Sequence, residues 1–138
     1  MRNSHTEIWT HLVISAKSYQ PLFKKQWVDT IDETLRDFIG SIPDHRGTFC
    51  IMPDHIHFLV KLPDDLSLNS LVDQVKSVIK TRLKETFVED ADNFDWEPHH
   101  HAHSVSLNRL SVEKSLIERQ LIKHKEMSLE EELKFFGM

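Results

Sequence analysis

The order of elements in this chain predicts an α+β fold: a ferredoxin-like βαββαβ sandwich with one antiparallel sheet and added C-terminal helices. Three observations carry the prediction. Short runs rich in β-branched and aromatic residues alternate with two long amphipathic stretches. Their order is strand, helix, strand, strand, helix, strand, the split βαβ pattern, in which crossovers are right-handed. The two middle strands are joined only by Met52-Pro53-Asp54, a link short enough for an antiparallel hairpin and too short for a crossover.

Glu7 to Ser15 alternates and reads as the first strand, with Trp9, His11 and Val13 on one face and Thr10, Leu12 and Ile14 on the other. Its central position makes His11 a core residue, or a support to a ligand, rather than a metal ligand itself. Ala16 to Phe23 is a loop that holds the only tyrosine, Tyr19. From Lys24 to Gly40, Trp27, Ile31, Leu35, Phe38 and Ile39 recur at helical steps, and Gly40 is the expected stop. Ser41 to Gly47 is a turn cluster. Thr48 to Ile51 is the second strand and His55 to Lys61 the third. Asp65 or Ser67 caps a helix from about Leu68 to Phe87, whose buried stripe is Leu68, Leu71, Val72, Val75, Val78, Ile79 and Leu83. An acidic loop from Val88 to Asn93 leads past Trp96 to a fourth strand, His101 to Leu107, in which His101, His103 and Val105 share a face. Ser111 is the expected cap of a helix from Val112 to Lys125. Ser128 and Glu131 form the capping box of a last short helix that begins near Met127.

A chain of 138 residues makes one domain, here taken as 1–138, and is long enough to bury a core. Hydrophobic content of 39% and charged content of 28% are those of a soluble globular protein. No apolar run approaches the roughly 20 residues of a membrane helix, and the first residues have no apolar signal core behind them. Cys50 is the single cysteine and lies in an apolar run, which fits a buried thiol in a reducing compartment. The expected location is the cytoplasm. A net charge of −5 argues against coating duplex DNA by bulk electrostatics but leaves room for a local basic groove. Lys76, Lys80, Arg82 and Lys84 are the only charges in their stretch of helix. They are a candidate phosphate-contacting surface, although such a run is commonly a solvated face.

Function turns on Met52-Pro53-Asp54-His55-Ile56-His57-Phe58-Leu59-Val60. Residues two apart on a strand share a face, so His55 and His57 present two imidazoles side by side while Ile56, Phe58 and Val60 face the other layer. Two imidazoles with a carboxylate close by can bind a divalent metal; the plain alternative is a wet strand face without chemistry. Histidine-triad nucleotide hydrolases need a third histidine where this chain has Leu59. A second cluster, Pro98-His99-His100-His101-Ala102-His103, reads as a polar edge strand, with extra metal binding or phosphate contact by protonated imidazoles as its functional alternatives.

From about residue 6 to 135 the chain resembles the small single-tyrosine HUH transposases of bacterial insertion sequences, of the two-hundred-like family, and their repeat-associated domesticated relatives. Four landmarks carry the resemblance in the family's order: Ile8-Trp9-Thr10-His11-Leu12-Val13, the Met52 to Val60 stretch, Trp96 before Ser104-Val105-Ser106, and the run from Gln120 through His124-Lys125 to Leu133. The resemblance implies a homodimer that binds single-stranded or hairpin DNA, with magnesium or manganese (Mg2+ or Mn2+) held by His55, His57 and Gln120. It also implies that the metal polarises a scissile phosphate, which a tyrosine one helical turn before the glutamine attacks. The products are a 5′-phosphotyrosine link and a free 3′-hydroxyl, so bond energy is kept for rejoining.

The nucleophile position, four residues before Gln120, is Leu116, and leucine cannot attack a phosphate. Tyr19 lies in the loop after the first strand, away from that helix. The histidine cluster departs too, since relatives carry a glycine- and aromatic-rich stretch before Ser-Val-Ser. The expected function is therefore that of a transposase-family protein that binds single-stranded hairpin DNA for metal-dependent cleavage and rejoining in transposition, with the nucleophile replaced. Two alternatives stand beside it. One is a domesticated module that binds a DNA or RNA hairpin without cutting. The other is a phosphodiesterase in which His55, His57 and Gln120 activate water, with Asp54 as the evident base.

Overall fold

The structure is a computed structural model that describes residues 6–119. Its strands are β1 (Trp9–Ser15), β2 (Gly47–Ile51), β3 (His55–Lys61) and β4 (His101–Val105), and its helices α1 (Lys25–Ser41), α2 (Leu68–Thr86) and α3 (Leu110–Glu118). The strands form one antiparallel sheet in the order β2-β3-β1-β4, as the βαββαβ pattern requires. β1 and β3 are central because each crossover helix skips one position: α1 carries the chain from β1 past β3 to β2, and α2 from β3 past β1 to β4.

The two faces of the sheet bury different layers. Even-numbered residues of β1 and β3, Leu12, Ile14, Ile56, Phe58 and Val60, pack against Trp27, Ile31 and Leu35 of α1 and Leu71, Val72, Val75, Ile79 and Leu83 of α2. Each such side chain contributes roughly 1.5–3 kcal/mol on burial, so this layer dominates stability. Odd-numbered residues face α3, where Trp9, Leu59, Val105, Ile117 and Leu110 pack with Cys50 and Met52. Cys50 is buried, as its setting predicts.

Several boundaries differ from expectation. Gly40 does not stop α1, which runs on to Ser41. The stop is the following Pro43, which forces Ile42 into an extended conformation (φ −87°, ψ 153°). Of the two candidate caps of α2, Ser67 takes the role by accepting from the Ser70 N–H. β4 ends at Val105, two residues early, because Leu107–Arg109 tightens into a 3-10 turn. Ser111 is not the cap of α3: the helix starts one residue before it, at Leu110, whose side chain packs into the second core. The expected continuation to Lys125 and the short helix from Met127 lie outside the described residues.

The segment between α2 and β4 is held by aromatic packing. Phe94 lies 5.1 Å from Trp96 and 5.6 Å from Trp27, ring centre to ring centre. Trp96 pairs with Ala16 in an isolated bridge, and its indole N–H donates to the Lys76 carbonyl at 2.9 Å. These contacts aim the chain into β4 beside β1. Among the described residues no helix is long and apolar enough to cross a membrane.

Candidate metal centre

β3 places His55 and His57 on the α3 side of the sheet, both fully buried, with rings 5.0 Å apart and nearly perpendicular. Burial removes the wet-face explanation. A buried imidazole needs partners for its polar nitrogens, and both rings have one at Nδ1. His55 Nδ1 lies 2.6 Å from the Asp54 carboxylate. His57 Nδ1 lies 2.8 Å from His11 Nε2. The other nitrogen of His11 is 2.7 Å from Glu113 Oε1, which His103 Nε2 also reaches at 2.9 Å.

Register explains how four histidines from three strands meet one helix. Val13 opposes His57 and His11 opposes His103, so His11 sits between the two on the same face. α3 crosses that face and directs Glu113 onto it, between Leu110 and Ile117 at helical steps. Burial works to raise the Glu113 carboxyl, but hydrogen bonds donated by His11 and His103 outweigh it, and the pKa sits below the usual glutamate value. Glu113 thus brings a carboxylate, with its ionised form favoured by two imidazoles, onto the buried face.

The expected site residues fall into four groups. His55 and His57 come together as read. Leu116 lies half-buried on α3, three residues after Glu113 and thus on the same side of the helix. Gln120 lies outside the described residues. Lys76, Lys80, Arg82 and Lys84 lie on α2, in the layer across the sheet from the histidines. Lys76 donates to the Glu97 carbonyl, Lys80 to the Asp95 carboxylate and Lys84 to the Asp92 carbonyl, while Arg82 approaches Asp37 at 3.7 Å. The three lysines thus fasten the loop that precedes β4.

Of the histidine cluster, His101 and His103 lie in the edge strand β4 while His99 and His100 precede it, and the strand is not idle, because His103 binds Glu113. His100 has its pKa lowered by burial and by nearby Lys76, which disfavours the protonated form that phosphate contact would use. The sequence reading missed Glu113. Its signal was available: a glutamate at the position where Leu110 and Ile117 define the buried stripe of a short helix.

A family profile described as "Transposase IS200 like" matches residues 4–120, most of the chain. The chain belongs to the IS200-like transposase family. The fold agrees with solved structures of this kind. One is a candidate transposase of Deinococcus radiodurans R1, with a TM-score of 0.63 at 20% identity, over 87% of this chain and 95% of that one. Another is a REP-associated tyrosine transposase bound to a REP hairpin, with a TM-score of 0.55 at 16% identity, over 90% of this chain and 73% of that one. At these identities the likeness is one of fold. Among curated proteins no relative matches.

Proposed function

We propose that this IS200-like protein binds single-stranded hairpin DNA at a divalent-metal centre held by His55, His57 and Gln120, and that Leu116 denies it the covalent tyrosine link. The observation that carries this reading is the buried imidazole pair, each ring with its Nδ1 engaged by a protein partner. Ligating histidines are oriented in this way by a carboxylate or another acceptor on the far nitrogen. The donor set therefore fits a divalent ion. When bound, manganese or magnesium would supply Lewis acidity toward a phosphate oxygen. The chain's own contribution is orientation: Asp54 holds His55 and His11 holds His57. The solved neighbour carrying a REP hairpin supports hairpin DNA as the partner. A homodimer and phosphate contact along Lys76, Lys80, Arg82 and Lys84 belong to the same reading, with the phosphate replacing the loop acceptors those lysines now hold.

A water-activating phosphodiesterase is the weaker reading. The base it needs, Asp54, is committed to His55 at 2.6 Å. The test compares wild type with Leu116→Tyr on labelled single-stranded hairpins drawn from the DNA flanking the gene, with manganese or magnesium. Tight binding by both, and a covalent adduct with Leu116→Tyr alone, is the expected result. Metal-dependent cutting by wild type without an adduct would favour the phosphodiesterase instead.

A further inference from the structure

Between Leu110 and Lys114 of α3 and the start of β2 lies a cavity of about 300 Å³, on the same face of the sheet as His55 and His57. Trp9 and Leu59, both buried in the second core, form its base. None of these residues belongs to the metal centre. We infer that this cavity seats one nucleotide of single-stranded DNA, with its phosphate on Arg46 and Lys114 and its base and sugar against Leu59 and Leu110. The inference rests on the reading that the chain binds single-stranded DNA, and it says where part of that strand lies.

The lining combines apolar walls with a few cationic groups, as a site for a base and its phosphate requires. Arg46 is held in place but not used up. Its guanidinium lies over the Trp9 ring, 4.9 Å from the centre, and its Nη1 donates to Glu7 Oε1 at 3.2 Å. Trp9 donates its indole N–H to the same oxygen at 3.1 Å, so Glu7 anchors both side chains. Among the described residues Arg46 Nε and Nη2 have no acceptor, and two donors on one planar fork match two phosphate oxygens. Lys114, exposed on the α3 side of the cavity, has no hydrogen-bond or ion-pair partner among the described residues. The α2 lysines, by contrast, already hold the loop before β4. Of the neighbouring acids, Glu7 is engaged as above, and Glu118, one helical turn beyond Lys114, accepts from Thr48 Oγ1 at 3.5 Å.

Position links the cavity to the histidines. Leu59 follows His57 by two residues on one face of β3, so the two lie one pleat apart, about 7 Å along the strand. Successive phosphates of an extended single strand are spaced similarly. A strand with one phosphate at His55 and His57 thus brings a neighbouring nucleotide to Arg46 and Lys114.

The full chain, isotope-labelled and metal-free, is titrated with a short oligothymidylate while NMR follows the Trp9 indole N–H and the Arg46 Nε–H. Both signals should shift saturably. Followed at Trp9, affinity should fall about tenfold in Lys114→Gln and in Arg46→Gln, the loss of one charged contact. Each variant should also flatten the dependence of log affinity on log salt by about 0.7, which a residue with only a structural role would leave unchanged. Lys114→Gln changes an exposed position, so it decides if Arg46→Gln does not fold. No shift at Trp9 and Arg46, or unchanged affinity and salt slope in Lys114→Gln, overturns the seat. Tighter binding of oligouridylate than of oligothymidylate overturns its assignment to DNA. Labelled hairpins from the DNA flanking the gene then separate the two readings. Oligothymidylate held at the cavity without any hairpin binding supports the seat and removes the hairpin reading. Hairpins bound equally by wild type and Lys114→Gln overturn the seat and leave the hairpin reading standing.

Discussion

Two buried imidazoles do not bind all divalent ions alike. Nitrogen donors favour manganese over magnesium, which prefers oxygen and gives up its waters reluctantly. Calorimetry should therefore find tighter binding of manganese than of magnesium. Replacing the pair, His55→Ala with His57→Ala, should abolish stoichiometric binding while circular dichroism shows the fold intact; heat of binding that survives the double change would refute the ligand assignment. At this scale the sequence was legible where spacing alone carries meaning. His55 and His57 share a strand face in any fold that keeps them in one strand. The burial of Glu113 is signalled by its place between Leu110 and Ile117, but its partners are not, because they arise from α3 crossing β1 and β4, a contact between residues 102 apart in the chain. The roles given to Leu116 and Gln120 could be read only by resemblance.

Among the elements, α1 and the segment before β4 hold the plainest tests. Gly40 lies inside α1, exposed, and an added Cβ would meet nothing within 4 Å. Gly40→Ala should raise stability by about 0.5–1 kcal/mol, through helix propensity and a less flexible unfolded chain; urea melts showing no gain would mean that this last turn frays in solution. Glycine so often ends helices that Gly40 is the expected stop, and only the geometry of Ile42 before Pro43 shows that the proline does so here. Asp95 ties the other segment. The Trp96 backbone N–H, followed by Lys80, holds its carboxyl below the usual value of 3.8. A carboxylate with a depressed folded pKa adds stability above its unfolded pKa and loses that contribution as pH falls through the folded value. The stability difference between wild type and Asp95→Asn should thus be constant above about pH 5 and shrink on acidification below pH 4. Since the group is mostly exposed, the difference will be small. A gap that widens in acid would contradict the assigned contact.

For the whole molecule, the sheet divides the work: the α1–α2 side supplies most of the apolar burial, and the α3 side carries the polar chemistry. Phe58, fully buried toward α1 and α2, should cost about 3–5 kcal/mol when changed to Ala, by loss of contacts and the cavity left behind. His57 is its neighbour on the opposite face, so a mild Phe58→Ala effect in denaturant melts would show that the helical layer does not dominate stability. The element order, with two clear helical stripes and one short hairpin link, makes this layering legible in the sequence. The alternation has a hereditary consequence. In β1, β3 and β4 every residue of the imidazole string, 11, 55, 57 and 103, is odd-numbered, and the apolar side chains facing α1 and α2 are even-numbered. Inserting or deleting one residue inside such a strand would turn its histidines into the oily layer and its hydrophobes toward α3. Drift in the length of these strands can survive only in steps of two, so the lineage carries its site and its core under a single parity rule.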